Sequence, residues 1–421
     1  MNININFSLK NNENKIYLLF ILLFISLPLP ILYSNIIIYS VSFLLIINGI
    51  RNYKSIDFYH PGFLFIFYFL LLCLNLLQVQ EIEKYGIRRI DTSLPFLIIP
   101  LVFVLNNFFL KISNNKIIEI LRVFSAFISG FVVICSIASI YKFITSEYLI
   151  SNLFYNNYVS ILSDFSPVYF GMYVCFSFVV LFIYPFSNKL LNNFLLSILS
   201  IGIIQTFSRI NLLFFLLFLI LNIKSFKVWL IIFFSIFISL FFLFESNLWN
   251  ERVESVKKSI TKSHYILTTE QFDPQQNISG EELRILHLRV FLENINSVKT
   301  LLIGNGTGMN EHTLAEKSFK YKREMTPHKT KYPYHEFNFH NSYLEIIFEL
   351  GLIGVFPFIF YFKKLLNQRC KLNIYFVSLI LIISLTESIL MRQKGVVFVV
   401  FISSFLFLLN ENSNIRYKRC S

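Results

Sequence analysis

Long, almost uninterrupted apolar runs divide this sequence, and they limit the folds that are open to it. The runs are about 15 to 22 residues long, the length that a helix needs to cross a hydrocarbon core of roughly 30 Å. In lipid, backbone N–H and C=O groups must be satisfied within the segment, so such runs form helices and not strands. The chain is also only 14% charged, whereas soluble domains carry about 25% charged residues. The sequence therefore predicts an all-α polytopic membrane protein.

We predict about twelve membrane-spanning helices, of which the first two are short and could instead form a re-entrant pair. The predicted spans are 16–33, 35–50, 62–79, 93–110, 119–143, 167–185, 190–206, 209–223, 226–245, 341–362, 373–391 and 394–410. Basic residues concentrate in alternate connecting segments, which by the positive-inside rule places both termini in the cytoplasm. The net charge of +13 is then explained by anchoring against anionic lipid and requires no nucleic-acid partner.

A polar segment interrupts the apolar pattern and gives the chain three parts. Residues 1–245 hold helices one to nine, residues 246–340 form a large external loop, and residues 341–421 hold helices ten to twelve and a cytoplasmic tail. Six of the seven histidines lie in the loop. A membrane protein has no packing reason to gather titratable groups on one side, so the loop predicts a site at one membrane surface.

Inside the loop, the segment 280–295 has apolar residues at helical spacing. Ile285, Leu288, Leu292 and Ile295 would share one face, with charged residues between them. This pattern predicts an amphipathic helix that lies along the outer membrane surface.

Several cations break the positive-inside pattern because they fall in external segments. They are Arg88, Arg89, Arg209, Arg284, Arg289, Arg392 and Lys394. For Arg89, Arg392 and Lys394 we favour interfacial anchors that bury an apolar stem and keep the charge in water. For Arg209 we favour a functional role, because a tight outer turn gains nothing in topology from a cation.

Carboxylates show the same one-sided placement. Asn341, Glu345 and Glu349 recur every four residues, so they share one helix face, and Glu387 falls near the external end of its span. A charge at mid-bilayer costs about 2.5–3.5 kcal/mol on insertion scales, and these positions avoid it. For Glu349 and Glu387 a polar seam between helices is as good an interpretation as a functional site.

The Gly304-Asn-Gly306-Thr-Gly308 segment leaves two interpretations open. It is either a turn that lets backbone approach a phosphate or a tight turn that returns the chain to the membrane. The histidine spacings match no zinc motif, so we expect neither a metal nor another cofactor. We expect His264, His287 and His312 to be solvated.

These residues together resemble the O-antigen ligase and polymerase superfamily of bacterial envelope glycosyltransferases. The resemblance is carried by Ser208-Arg209, then Arg284, then Gly304-Asn-Gly306, His340-Asn-Ser-Tyr-Leu-Glu345 and Glu349-Leu-Gly-Leu-Ile-Gly354. It covers most of the chain from about residue 166. The sequence departs from the family pattern at two positions. Leu288 stands where the family often has Trp, which leaves either Arg284 or Arg289 as the functional loop arginine. Ser166 stands where a His is common.

The resemblance implies glycan transfer from a polyprenyl-diphosphate carrier to a sugar hydroxyl at the outer face of the bacterial inner membrane. It implies that Arg209 and Arg284 bind the diphosphate, with Arg88 as a weaker third cation, and that His340 is the general base. Glu345 would orient that histidine or the acceptor. Arg289, Asn341, Gly304 and Gly306 complete the expected substrate-binding residues.

The acceptor stays open at this point. A ligase would pass the glycan to a lipid A–core acceptor, whereas a polymerase would join one carrier-linked glycan to another, and we favour the ligase slightly. Inversion and independence of metal ions are expected in both. A membrane transporter is the alternative from another class. It predicts ionisable groups near the midplane and broken helices in repeated halves, and the predicted spans show neither.

Overall fold

The computed structural model describes residues 13–51, 60–77, 79, 85–106, 112–146, 150–162, 165–222, 247–270, 280–320 and 338–411. Within these ranges the regular secondary structure is helical, and no strand occurs. The helices are α1 (Glu13–Ser26), α2 (Ile31–Arg51), α3 (Gly62–Leu76), α4 (Ile87–Ser93), α5 (Pro95–Leu105), α6 (Asn114–Thr145), α7 (Tyr155–Val159), α8 (Pro167–Ile183), α9 (Lys189–Gln205), α10 (Arg209–Asn222), α11 (Asn247–Thr268), α12 (Gly280–Asn294), α13 (Val298–Ile303), α14 (Met309–Lys320), α15 (Ser342–Asn367), α16 (Lys371–Ser384) and α17 (Gln393–Glu411).

Three of these helices are long and apolar enough to cross a membrane, namely α2, α6 and α15. Seven shorter apolar helices accompany them, in α1, α3, α8, α9, α10, α16 and α17. Each predicted span overlaps a described helix except 226–245, which lies outside the described residues. Glu245 at the end of that span, and His328 and His335 among the six loop histidines, also lie outside them. An all-helical membrane protein is therefore confirmed, whereas the number of about twelve crossings stays a prediction.

Helix α17 forms the centre of the bundle. Every side chain from Lys394 to Leu409 is buried, and a helix that is apolar on all sides belongs inside a protein or a membrane. Aromatic contacts tie it to its neighbours; the Phe405 ring meets the Phe24 ring of α1 with centroids 4.7 Å apart. Peripheral helices instead expose apolar side chains, such as Leu32 and Phe43 of α2 at 66% and 64%. This distribution fits a bundle surrounded by lipid.

A break in α15 receives the glycine-rich segment. Gly351 has φ of 65° inside the helix, which frees the preceding carbonyls from helical hydrogen bonds. Asn305 N–H donates to Phe348 O at 2.8 Å, and Gly306 N–H donates to Glu349 O at 3.1 Å. A Cβ on Gly304 would lie 2.2 Å from Glu349 O, so the two backbones can meet only at glycine.

Candidate functional site

Two cavities at one end of the bundle meet at His340 and Glu387. The larger, of about 740 Å³, is lined by Arg209, Arg284, Ser208 and Glu281 among others, and we call it the Arg209 cavity. The smaller, of about 400 Å³, is lined by Arg88, Asn310, Glu311, Arg392 and Lys394 among others, and we call it the Lys394 cavity. His340 and Glu387 line both cavities, so they stand where two bound molecules would meet.

The backbone places His340 at the entrance to α15. Its φ is 52°, a conformation that is uncommon outside glycine and is typical of functional positions. The His340 N–H donates to Asn338 Oδ1 at 3.1 Å. The buried Glu345 carboxylate accepts from Phe339 N–H and from Ser388 Oγ. Glu345 therefore positions the residues beside His340 and Glu387, which agrees with an orienting role but not with contact to a substrate.

Glu387 links the histidine to an arginine. Its Oε2 lies 3.8 Å from His340 Nδ1, and its Oε1 lies 3.7 Å from Arg284 Nη2. The Arg284 Nε is buried and has no hydrogen-bond partner among the described residues. An unsatisfied buried guanidinium nitrogen is costly unless a ligand supplies the acceptor. The arrangement therefore has spare capacity for an anion.

Arg209 reaches the same cavity from a strained turn. Phe207 has φ of 46°, and α10 begins two residues later, so the Arg209 side chain projects from a helix N-terminus. It forms an ion pair with Glu281 of α12, and the neighbouring Ser208 Oγ has no hydrogen-bond partner among the described residues. The structure thus brings Arg209, Arg284 and His340 to one cavity.

Helix α12 holds Arg284 in place. A helix occupies the predicted segment, at Gly280–Asn294, and its position along the outer membrane surface stays a prediction. Leu286 and Val290 are buried in a cluster with residues that flank His340, whereas Leu288 and Leu292 are 41% and 60% exposed. The helix carries apolar residues on two sides, and the loop core selects one of them.

His287 corrects a second expectation. Its side chain is 0% exposed, and its ring stacks on the His340 ring with centroids 5.8 Å apart and planes 17° apart. Burial, together with the nearby His340, lowers the pKa of His287 well below its ordinary value of 6.5. The expectation of solvation is therefore wrong for His287; it holds for His264, which is exposed, while His312 is half-buried against Tyr85.

Other predicted residues lie apart from the Arg209 cavity. Arg88 lines the Lys394 cavity instead, where it pairs with Glu311 at 3.6 Å. Arg289 donates to the carbonyls of Ile266 and Thr269, at 2.9 and 2.6 Å, and joins α11 to α12.

Asn341, Gly304 and Gly306 have structural roles in backbone capping and packing. The Asn341 side chain caps α15 by accepting from the Tyr343 and Leu344 N–H groups. Neither Gly304 nor Gly306 lines either cavity. The N–H groups of Asn305 and Gly306 are occupied at the break in α15, and Gly308 N–H donates to the Glu349 carboxylate, so these three donors are not free for a phosphate.

The anchor interpretation is wrong for two cations. Arg89 is 6% exposed, and its Nε binds the Glu349 carboxylate at 2.9 Å; this confirms the alternative of a polar seam for Glu349. Lys394 is 7% exposed. Its ammonium donates to the carbonyls of Leu27, at 3.2 Å, and of Leu29.

Sequence reasoning missed several lining residues. Glu281, Asn310 and Glu311 fall in polar loop helices where nothing in the pattern distinguishes them from a solvated face. Glu387 had a signal, since it was placed near the external end of its span. No group of three or more His, Cys, Asp or Glu side chains in the described part of the chain could hold a metal ion.

The fold and the site define a helical membrane protein with a cationic, histidine-containing pocket at one end of its bundle. The O-antigen ligase family model matches residues 194–359, which confirms the resemblance to the O-antigen ligase superfamily over that stretch. The matched stretch includes Arg209, Arg284 and His340, but not Glu387. A comparison with curated protein sequences finds no match.

Proposed function

We propose that the protein transfers a glycan from a polyprenyl-diphosphate carrier, such as undecaprenyl diphosphate, to a sugar hydroxyl, in the manner of an O-antigen ligase. The observation that carries this proposal is that Arg209, Arg284 and His340 line a single cavity. The diphosphate would bind the two guanidinium groups, whose planar donors match phosphate oxygens in pairs. We place the site at the periplasmic face of the inner membrane, because these cations break the positive-inside pattern.

The chemistry follows from the positions of the charged groups. Negative charge develops on the diphosphate as it leaves, and Arg209 and Arg284 are placed to stabilise it. His340 takes the proton of the attacking hydroxyl as general base, and Glu387 stabilises the imidazolium that forms. Attack from the side opposite the diphosphate inverts the anomeric centre. Because guanidinium groups supply the positive charge, we expect the rate to be unchanged in EDTA.

The acceptor distinguishes two versions of this activity. A ligase would use a lipid A–core acceptor, and a polymerase would use a second carrier-linked glycan. Both versions use the same donor site. The match to the O-antigen ligase family disfavours the transporter alternative. We propose the ligase first and the polymerase second.

The test is complementation of a strain that lacks the gene. Variants His340→Ala, Arg209→Ala and Arg284→Ala should fail to restore surface polysaccharide, which is observed on a gel. Unattached long chains would indicate a ligase, whereas core bearing a single repeat would indicate a polymerase. His264→Ala, which removes an exposed histidine of the same loop, should restore normal banding. Normal banding in all three site variants would rule out this site.

A further inference from the structure

His287 lies beside the predicted base but belongs to neither cavity. Its side chain is 0% exposed, and it is absent from the linings of both cavities, so it does not contact a bound substrate. Its neighbours Leu286 and Val290 on α12 are buried in an apolar cluster with Phe339. A polar imidazole in such a place costs free energy unless a partner compensates it. Apolar packing alone therefore does not account for a histidine here.

The partner of His287 is the residue directly before His340. A hydrogen bond joins the His287 imidazole to the Phe339 backbone, and the two rings meet edge to face with centroids 5.9 Å apart. The Phe339 N–H donates to the buried Glu345 carboxylate. His340 itself has φ of 52°, a conformation that persists only where the surroundings fix it. His287 and Glu345 therefore hold the backbone from which the His340 side chain projects.

The His287 ring also limits how the His340 ring can turn. A histidine ring has a broad torsional minimum about its χ2 bond. Glu387 Oε2 lies 3.8 Å from His340 Nδ1, which is longer than a hydrogen bond and leaves that rotation open. The His287 ring lies nearly parallel to the His340 ring, with centroids 5.8 Å apart and planes 17° apart. A buried ring on this face sets the plane of the imidazole, whereas Glu387 attracts one of its edges.

One helix connects this stacking contact to the donor cation. Arg284 and His287 are three residues apart on α12, so they share a helix face. Arg284 Nη2 lies 3.7 Å from Glu387 Oε1, and Glu387 in turn faces His340. The four side chains form a closed circuit of contacts, in which α12 fixes the separation of the cation from the base.

The charge of His287 suits a place beside a base. Burial first, then the charges of His340 and Arg284, lower its pKa well below the ordinary value of 6.5. His287 is therefore neutral at neutral pH. When His340 takes up a proton, the imidazolium that forms does not face a second positive charge across the stack, as it would beside a protonated ring.

We propose that His287 is a positioning residue: its ring, held by the Phe339 backbone, sets the plane in which the His340 imidazole meets the attacking hydroxyl. The inference rests on the proposed function, because it requires His340 to be the general base. In the step, the acceptor oxygen bonds to the anomeric carbon while the bond from that carbon to the diphosphate oxygen breaks. The electron pair leaves with the diphosphate, and the hydroxyl proton passes to His340. His287 exchanges no proton.

Two substitutions separate the flat ring from its polarity. Both His287→Phe and His287→Leu lose the hydrogen bond to Phe339, but only His287→Phe keeps a ring that can stack. Transfer is measured on the full-length protein in detergent. The donor is the undecaprenyl diphosphate-linked glycan of the complemented strain, and the acceptor is lipid A–core or a second molecule of the donor.

A catalytic group displaced by about 1 Å lowers rates by about 100-fold. We expect a fall in kcat of about that size in His287→Leu, and no more than about tenfold in His287→Phe. The donor KM should stay the same in both variants, because His287 lies outside the Arg209 cavity. Equal kcat values in the two variants would overturn the proposal.

The matched control is Val290→Ala, at a buried position one turn further along α12. It removes packing from the same cluster without touching the stack, so it should lower the unfolding temperature and leave kcat unchanged. A loss of kcat in Val290→Ala as large as that in His287→Leu would show that the role of His287 is confined to packing, and would also overturn the proposal.

A spectroscopic measurement separates failure of this inference from failure of the proposed function. In protein with ¹³C-labelled histidine, the His340 ring signal is identified by its absence from the spectrum of His340→Gln. A stacked ring shifts the signals of its neighbour, so the His340 signal should move further in His287→Leu than in His287→Phe. An unmoved signal in His287→Leu overturns the inference alone. Normal transfer by His340→Gln would instead overturn the proposed function, and the positioning role with it, whatever the spectrum shows.

Discussion

Two arginine–glutamate pairs near the same end of the bundle differ in how fully they are satisfied. Arg89 binds Glu349 at 2.9 Å, Ser93 Oγ at 2.6 Å and Tyr68 OH at 3.2 Å, with both charges buried. Glu349 also accepts from Gly308 N–H at 3.0 Å. Each guanidinium nitrogen of Arg89 and at least one oxygen of Glu349 therefore has a partner within the protein.

The Arg284–Glu387 pair is loose by comparison. The charged atoms are 3.7 Å apart, the Arg284 side chain is 38% exposed, and its Nε has no partner among the described residues. Composition is the same in both pairs, so the difference lies in their surroundings. A saturated pair fixes helices, whereas an unsaturated pair beside a cavity can bind a ligand. Three predictions test this distinction, and a fourth concerns the buried histidine beside the same site.

The largest effect should come from opening the saturated pair. Glu349→Ala leaves the Arg89 charge buried without its partner, which costs about 3–5 kcal/mol. We expect a strong fall in thermal unfolding temperature and in the yield of monodisperse protein on size-exclusion chromatography. Arg88 is the neighbour of Arg89 in the sequence but is half-exposed. Arg88→Ala is therefore the matched control and should leave the unfolding temperature and the yield unchanged. An unaltered unfolding temperature in Glu349→Ala would contradict a structural role for the Arg89–Glu349 pair.

Arg284→Ala should have the opposite signature. Loss of a donor aimed at developing charge lowers rates by about 10²–10³-fold, and the exposed side chain contributes little to folding. We expect glycan transfer to fall by that factor while the unfolding temperature stays the same. Arg289→Ala is the matched comparison, because Arg289 binds carbonyls that join two helices. Arg289→Ala should lower the unfolding temperature and have little effect on the rate of glycan transfer. Equal effects of the two variants on that rate would contradict our choice of Arg284.

Glu387→Gln should give a smaller loss. A charge-assisted interaction is worth about 1.5–3 kcal/mol, and the present 3.8 Å separation from His340 lies at the weak end, so we expect about a tenfold fall in kcat. The acceptor and donor KM values should change little. Glu387→Asp, which keeps the charge, should restore part of the rate, whereas equal loss in both variants would indicate a packing role instead.

The sequence predicted the helices well because apolar length and caps are local properties. It could not show that Arg89 is buried and Arg88 exposed, because neighbouring residues on a helix point in different directions, and which direction is buried depends on the helices packed around them. The long-range partner of Arg89 is Glu349, 260 positions away. Charge alone therefore marked both arginines, and packing decided which one is exposed.

The glycine segment shows the same limit. Its spacing was compatible with a phosphate turn, but its N–H groups meet carbonyls freed by the break at Gly351. That break is invisible in a pattern of apolar residues. Arg209 was instead marked by its place in a tight outer turn, and His340 and Arg284 were identified by a resemblance to a family. The fold places the three in one cavity, which no local signal predicted.

The smallest effect concerns His287, the buried histidine stacked on His340. Its pKa is lowered in the folded protein by burial first and by the His340 charge next. As pH falls below 6.5 the unfolded chain binds a proton there and the folded protein does not, so stability is present above that pH and is lost below it. The slope for one group is at most about 1.4 kcal/mol per pH unit. Unfolding temperatures between pH 7.5 and 5 should therefore fall less steeply in His287→Phe than in the unaltered protein. His264→Phe, at an exposed position, should keep the original slope, and identical slopes in all three proteins would show that His287 is not held neutral by the fold.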